Sequence, residues 1–250
     1  MIYISNFFSN IGWIDIIAAM LLFGTYWLYP FTAKRLFGED IGTRMLIWRN
    51  EWAQQLLWRE ERITDVSLVQ GLIRNVSFFA TTTVFVISGL VALLGSSSSI
   101  VERLNTLPHF DPVTEETVFM KIAALLILAI IAFFKFGWSM RLHAYALLMV
   151  GAVPHPEERG SKYALSIAQR IASMSTLASQ HFLGGVRAYY FGFSAIPWFL
   201  SPWLFFLSLG LVLIVATRRE FLSSSFAIAA PPTQELPEKP NLSQHTSEKK

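Results

Sequence analysis

Residues 118–138 read VFMKIAALLILAIIAFFKFGW, and this stretch decides the fold class. Its only charged side chains are Lys121 and Lys135, one near each end. A helix needs about 20 predominantly apolar residues to cross the hydrocarbon core of a bilayer. The stretch therefore predicts a transmembrane helix, and the sequence allows that helix to continue through residues 141–143 toward Pro154.

Three further segments are apolar over comparable lengths, namely residues 11–32, 76–95 and 188–217. The composition of the chain agrees with membrane insertion. Its 250 residues include only 15% Asp, Glu, Lys and Arg, against about 25% in a typical soluble domain, and the mean hydropathy is +0.46. We predict an all-α integral membrane four-helix bundle over residues 1–222, with helical cytoplasmic extensions.

The fourth apolar segment, residues 188–217, is longer than one perpendicular crossing requires and contains Pro197 and Pro202. Each proline removes a helix hydrogen bond and favours a kink. A tilted, kinked single span is the favoured interpretation, and a broken or re-entrant helix is the alternative. Residues 223–250 are rich in Pro, Ser, Glu and Lys, a composition that predicts a disordered tail.

The first polar region covers residues 33–71. Apolar residues recur in it at three- and four-residue steps from Met45 to Ile73, with one longer gap between Leu56 and Ile63. This spacing predicts an amphipathic helix. A helix that runs unbroken into the second span is the favoured interpretation, and a helix that lies along the membrane surface is the alternative.

The second polar region covers residues 155–186. Within it Ala164, Ala168 and Ala172 recur at four-residue spacing, which places them on one face of a helix. A row of small side chains lets another helix approach closely. We therefore expect a tight helix–helix contact along this face.

Basic residues indicate the orientation in the membrane. The first and third loops carry most of them, at Lys34, Arg35, Arg44, Arg49, Arg59, Arg62 and Arg74, and at Arg141, Arg159, Lys162, Arg170 and Arg187. The positive-inside rule then places both loops in the cytoplasm and the N-terminus outside, in the cell membrane. A four-span chain would also place the C-terminus and Arg218–Arg219 outside, whereas a re-entrant fourth segment would return them to the cytoplasm.

Residues 49–95, RNEWAQQLLWREERITDVSLVQGLIRNVSFFATTTVFVISGLVALLG, resemble the first block of the domain-of-unknown-function family 599. The matching residues are Arg49 with Trp52, Arg62-Ile63-Thr64-Asp65, Ser77-Phe78-Phe79-Ala80-Thr81-Thr82, and also Asp15. Residues 182–191, FLGGVRAYYF, resemble the second block, in which Leu183 replaces an Asn and Val186 a Leu. The resemblance covers residues 12–217. It implies a four-span membrane protein and no known activity, so it transfers no catalytic residue.

Asp15 and Lys121 are the first candidate site. Both lie a few residues inside their predicted spans at a similar depth, where an unpaired charge is costly. We hypothesise an intramembrane ion pair between them, and the alternative is that each side chain reaches the headgroups separately. On the pairing hypothesis, exchanging the two charges should restore what a single change loses.

Basic residues at the inner ends of the spans are the second candidate site, for an anion or a lipid headgroup: Arg74, Lys135, Arg141 and Arg187. A sharper form of this hypothesis is one pocket built on Arg74 and Arg187, which both lie in the family-like blocks. The alternative is that these cations only anchor the orientation of the helices.

Sequence motifs favour no catalytic function. The chain has no cysteine, which excludes thiolate chemistry, and it contains no nucleotide-binding loop, no hydrolase motif and no metal-binding spacing. We expect no cofactor, no metal and no nucleic-acid partner. The favoured function is a non-enzymatic membrane protein that packs with itself or with partners and binds membrane lipids. An oligomeric small-solute or ion transporter or channel is the alternative, and an enzyme acting on lipid-like substrates ranks third.

Overall fold

The computed structural model describes residues 11–106 and 113–230, and all regular structure in these ranges is helical. The helices are α1 (Trp13–Phe37), α2 (Ile41–Leu56), α3 (Ile63–Leu94), α4 (Ser97–Asn105), α5 (Glu115–Gly151), α6 (Lys162–Ser194), α7 (Pro202–Phe221) and α8 (Ser224–Ile228). Two short 3-10 turns, Pro156–Glu158 and Ile196–Phe199, precede α6 and α7. The predicted all-α class is confirmed.

Three of the helices are long and apolar enough to cross a membrane. They are α1 with 25 residues, α3 with 32 and α5 with 37. Helix α5 contains the whole predicted third span and continues to Gly151, because no proline or glycine cap interrupts it before that point. The chain is therefore a helical membrane protein.

Helices α3 and α6 both pack against α5, and each runs antiparallel to it. On the α3 side, Ser77 contacts Met140, while Arg62 at the start of α3 reaches the backbone of Val153 just beyond α5. On the α6 side, the Ser139 hydroxyl donates to the carbonyl of Ala178 at 2.7 Å. Helices α3 and α6 also contact each other, because the rings of Phe79 and Phe182 lie 5.3 Å apart.

The predicted fourth span is divided into two helices. Helix α6 ends at Ser194, the Ile196–Phe199 turn follows, and α7 begins at Pro202 with the Ser201 hydroxyl accepting from the N–H of Trp203. Pro197 and Pro202 lack the N–H groups that a continuous helix would need, so the chain reverses between them. The favoured single span over residues 188–217 is wrong, and the broken alternative is the one observed.

Because of this reversal, α7 runs beside α1 in the same direction. Near their C-terminal ends the Tyr29 hydroxyl donates to Glu220 at 3.3 Å, and the rings of Phe37 and Phe221 lie 5.5 Å apart. We call this the Glu220 end of the bundle, and the opposite end, where α1 begins, the Lys121 end. The start of α1 and the end of α7 therefore lie at opposite ends of the bundle, whereas the four-span arrangement would place them at the same end.

Helix α2 is separate from α3. It ends at Leu56, and α3 begins at Ile63, so the break coincides with the longer gap in the apolar spacing. Before α2, Gly38 adopts a left-handed φ of 82°, and the Asp40 carboxylate accepts the backbone N–H of Thr43 at 2.8 Å as the helix cap. The favoured unbroken helix through residues 33–71 is therefore wrong.

The row of alanines on α6 forms the contact predicted for it. Ala164, Ala168 and Ala172 are at most 2% exposed, and they pack in one apolar cluster with Ala53 and Leu56 of α2. Small side chains on both helices allow this close approach. Helix α2 is thereby held against the part of α6 that extends beyond the Glu220 end.

Ordered structure continues past the predicted boundary at residue 222. Helix α8 lies against α2, because Arg44 donates to the carbonyl of Phe226 at 2.7 Å and the Trp48 indole donates to that of Ala229 at 3.0 Å. The predicted disorder is wrong for Ser224–Ile228. Residues 231–250, which hold the rest of that prediction, lie outside the described residues.

Candidate functional site

The Lys121 end contains a buried cluster of charged and aromatic groups. Lys121 is 1% exposed, and its Nζ lies 3.1 Å from Asp15 Oδ1, so the structure brings together the two residues proposed as a pair. Lys121 Nζ also donates to the backbone carbonyl of Trp198 at 2.9 Å. The charge of the lysine is therefore neutralised and hydrogen-bonded inside the protein.

Trp198 completes this cluster from the turn between α6 and α7. Its indole Nε1 donates to Asp15 Oδ1 at 2.7 Å, and the residue is fully buried against Phe205. The three side chains thus join α1, α5 and the turn at one point. The ammonium, the Oδ1 atom of the carboxylate and the indole N–H each meet a partner of opposite character, an arrangement that stabilises the bundle.

A charged cavity of about 250 Å³ lies at the Glu220 end. Its polar lining comes from α1, α6, α7 and the start of α2: Lys34, Asp40, Thr43, Gln180, Arg187 and Glu220. Lys34 and Asp40 form an ion pair at 3.0 Å, and Glu220 accepts the Tyr29 hydroxyl. The half-buried Arg187 lines this cavity and makes no hydrogen bond or ion pair with any described residue, although its charge interacts with that of Glu220.

The other predicted basic residues do not join Arg187. Arg74 is exposed on α3 and does not line the Arg187 cavity, whose second cation is Lys34. The methylene groups of Lys135 pack across Gly184, and the Arg141 guanidinium lies 5.7 Å from the Trp138 ring. Of the four cations proposed for a headgroup site, Arg187 alone lines this cavity.

The family-like residues between α2 and α3 form a second polar cluster. Asp65 is 1% exposed and accepts hydrogen bonds from the Trp52 indole and from Arg59. Arg62 donates to the carbonyls of Val153 and Pro154 at 2.8 and 2.6 Å, which ties the start of α3 to the loop after α5. The Arg-Ile-Thr-Asp string thus fixes the position of a turn, a role that its sequence alone did not indicate.

Sequence reasoning also missed a second cavity, of about 270 Å³, between α2, α3, α5 and α6. Its polar lining is Arg49, Asn75, His143, Thr176, Ser179 and Gln180. Arg49 Nη2 donates to Ser179 Oγ at 2.7 Å, and burial lowers the pKa of this guanidinium. The available signal was Arg49 within the family-like block, but His143 carried no motif.

Metal binding finds no support in the part of the chain that the structure covers, because no three His, Asp or Glu side chains there come together as a metal site. Comparison with known proteins identifies a family. The model of a family described as "Protein of unknown function, DUF599" matches residues 16–225, which is most of the chain. No curated protein and no solved structure matches the sequence.

Proposed function

Because the chain belongs to DUF599, a family of proteins of unknown function, and is itself a helical membrane protein, we propose a role that needs no catalytic group. In this proposal the protein binds the phosphate of an anionic lipid in the cavity at the Glu220 end, and that end faces the cytoplasm. It acts as a non-enzymatic membrane component that recognises lipid and packs with copies of itself or with other membrane proteins.

The observation that supports this proposal most directly is that the Arg187 guanidinium has hydrogen-bond donors unsatisfied by any described residue. A half-buried guanidinium usually has a carboxylate or carbonyl partner, yet Arg187 forms no hydrogen bond or ion pair with any described residue, although its charge interacts with that of Glu220 in the same cavity. Its planar set of N–H donors suits the oxygens of a phosphate group. Lys34, on the same cavity wall, adds a second cation, although Asp40 already holds it at 3.0 Å.

The position of the cavity supports a lipid as the ligand. Lys34 lies just beyond the predicted end of the first span, a depth that corresponds to the headgroup region. The basic residues of α2 and of the end of α7 lie at this same end of the bundle, as the positive-inside rule requires for a cytoplasmic face. Five segments, in α1, α3, α5, the C-terminal half of α6 and α7, would then cross the membrane.

Lipid retention tests the proposal. The full-length protein is purified in mild detergent from nanodiscs that contain equal phosphatidylglycerol and phosphatidylcholine, and bound lipid is measured by native mass spectrometry. We expect selective retention of phosphatidylglycerol, lost by about tenfold in Arg187→Gln, since a charged hydrogen bond contributes about 1.5–3 kcal/mol. Arg74→Gln removes an equal charge from an exposed site and is the matched control. Equal retention by the two variants contradicts the proposal.

Transport of a small solute by an oligomer is the alternative, and the interruption between α6 and α7 favours it. Broken helices line the substrate sites of many transporters. In this chain, however, the break at Ile196–Phe199 packs against the Asp15–Lys121 pair, whose groups bond to each other and to Trp198. Counting subunits by photobleaching in liposomes tests this alternative, because a monomer contradicts an oligomeric pore.

A further inference from the structure

The cavity between α2 and the central helices contains a histidine whose second ring nitrogen has no partner. His143 is 2% exposed, and its Nδ1 lies 2.9 Å from the carbonyl oxygen of Ser139. A carbonyl oxygen only accepts, so Nδ1 carries the proton, and Nε2 of the neutral ring is an acceptor. Nε2 is buried and unpartnered, and the ring lines the cavity.

Arg49 supplies hydrogen-bond donors and a positive charge in the same cavity. Its Nη2 donates to Ser179 Oγ, whose own hydroxyl donates to the carbonyl of Ser175 at 3.0 Å. No carboxylate within the described ranges forms an ion pair with Arg49. The cavity therefore presents a positive charge with spare donors and, separately, one buried acceptor. Buried polar groups without partners are costly, which indicates that a ligand supplies the missing bonds.

We propose that this cavity binds a phosphate-class oxyanion that carries at least one P–OH group. The deprotonated oxygens accept from the Arg49 guanidinium, and the P–OH donates to His143 Nε2. Inorganic phosphate keeps a P–OH group throughout the neutral range, because HPO₄²⁻ is still protonated. A phosphomonoester, whose second pKa is about 6, has a P–OH group only as its monoanion, so the monoanion is the form that this cavity would bind. The amides of Asn75 and Gln180, which make no side-chain hydrogen bond with the described residues, complete the polar wall.

The same chemistry has two sources, free phosphate from the cytoplasm and the phosphomonoester headgroup of a lipid such as phosphatidic acid. The cavity adjoins the Arg187 cavity, since Ile41, Gly42, Gln180 and Leu183 line both. A phosphodiester headgroup has no P–OH and is not a ligand of the Arg49–His143 cavity. This proposal is therefore independent of the lipid site at Arg187.

Binding of inorganic phosphate and of sulfate to the full-length protein in detergent, measured by isothermal titration calorimetry, tests the inference. Sulfate has similar size and shape but no proton to give to Nε2. A site that hydrogen-bonds a ligand hydroxyl rejects the analogue that lacks it. We expect phosphate to bind at least about tenfold more tightly than sulfate. Equal affinities, measured on the unmodified chain, overturn the proposal without any variant having to fold.

Two substitutions separate the roles of the cavity residues. We expect Arg49→Gln to weaken both anions about tenfold or more, and His143→Phe to remove the preference for phosphate while sulfate affinity stays constant. Arg74→Gln and His155→Gln, at exposed positions outside the cavity, are the matched controls and should change neither. Loss of phosphate preference in the controls as well overturns the assignment.

Nanodiscs distinguish the two sources of phosphate. If a lipid is the ligand, phosphatidic acid binds in an Arg49-dependent manner, whereas the binding of phosphatidylglycerol does not depend on Arg49. If free phosphate is the ligand, inorganic phosphate binds to the protein in detergent, and neither lipid displaces it from the Arg49–His143 cavity. Arg187→Gln should leave both results unchanged, so a failure here and a failure of the Arg187 lipid site are separate outcomes. Absence of Arg49-dependent binding for both probes overturns the inference.

Discussion

Lys121 Nζ lies 3.1 Å from Asp15 Oδ1 in an enclosed site where Trp198 donates to the carboxylate and accepts from the ammonium. The pair is thus held by a third residue that belongs to neither helix. Taking two charges out of water is costly, and their attraction offsets that cost only with full hydrogen bonding, which Trp198 supplies here.

Removing one member of this pair should therefore destabilise the protein. We expect Lys121→Met to lower the free energy of unfolding by about 3–5 kcal/mol, because it leaves the Asp15 carboxylate buried without a cation. Asp15→Asn in the same chain should recover most of the loss, because the amide oxygen still accepts from the Trp198 indole. Thermal unfolding in detergent measures both, and Lys135→Met, at a half-buried lysine, is the control. A change below about 0.5 kcal/mol in Lys121→Met would contradict the argument.

Exchanging the two charges should not restore stability, although the sequence alone predicts that it does. Trp198 presents an N–H toward position 15 and a carbonyl toward position 121. In the double variant Asp15→Lys with Lys121→Asp, the new ammonium group would face the indole N–H of Trp198. The new carboxylate would face the Trp198 carbonyl oxygen, so neither group would gain a hydrogen bond. We expect the double variant to be no more stable than Lys121→Met in the same thermal assay. Full recovery would show that Trp198 does not set the polarity of the site.

The direction of α7 makes a prediction about topology. Helix α8 contacts α2, and α4 lies at the Lys121 end, where Ser97 donates to Glu115. The chain has no cysteine, so single cysteines give an unambiguous label. We expect Ser225→Cys and Glu157→Cys to react with an impermeant maleimide from the same side of the membrane, and Glu102→Cys from the other. Labelling of Ser225→Cys together with Glu102→Cys would support the four-span arrangement instead.

The sequence predicts the features that depend on local spacing. Apolar length identified α1, α3 and α5, and the alanines of α6 identified the face that packs on α2, because periodicity reports directly on burial. The gap between Leu56 and Ile63 marked the turn, but helix propensity outweighed it in the interpretation. At the Lys121 end, similar depth in two spans was enough to suggest that Asp15 and Lys121 lie close together.

Features that depend on the path between helices could not be predicted. Pro197 and Pro202 indicated a kink, yet a kink and a reversal have the same local signature, and packing of α7 on α1 decides between them. Trp198 joins the ion pair only because of that reversal. Similarly, the Arg49–His143 cavity depends on how α2, α5 and α6 align, so no single segment contains its pattern.

The Asp40 carboxylate, which caps α2, should make the stability of the protein depend on pH. Burial opposes ionisation of Asp40, but hydrogen bonds from Thr43 and the charge of Lys34 outweigh it, so the pKa of the carboxyl lies below its ordinary value of 3.8. A group whose pKa falls on folding contributes stability above its unfolded pKa and loses that contribution as the pH falls through its folded pKa. We expect Asp40→Ala to cost about 0.5–2 kcal/mol at pH 7 and progressively less below about pH 4. Unfolding measured across this range checks the prediction, and a cost independent of pH would contradict it.

Close packing of α6 on α5 gives the last prediction, at two adjacent glycines. A Cβ atom at Gly185 would lie 2.5 Å from Cε1 of the Phe136 ring, closer than real contacts allow, and the ring is fully buried. At Gly184 the nearest atom is Cδ of Lys135 at 3.4 Å, an ordinary contact with a flexible side chain. We expect Gly185→Ala to destabilise the protein by about 1–3 kcal/mol through overpacking, whereas Gly184→Ala has a smaller effect or stabilises the helix. Thermal unfolding of the two variants in the same detergent measures the difference, and equal midpoints would show that α5 and α6 tolerate a wider separation.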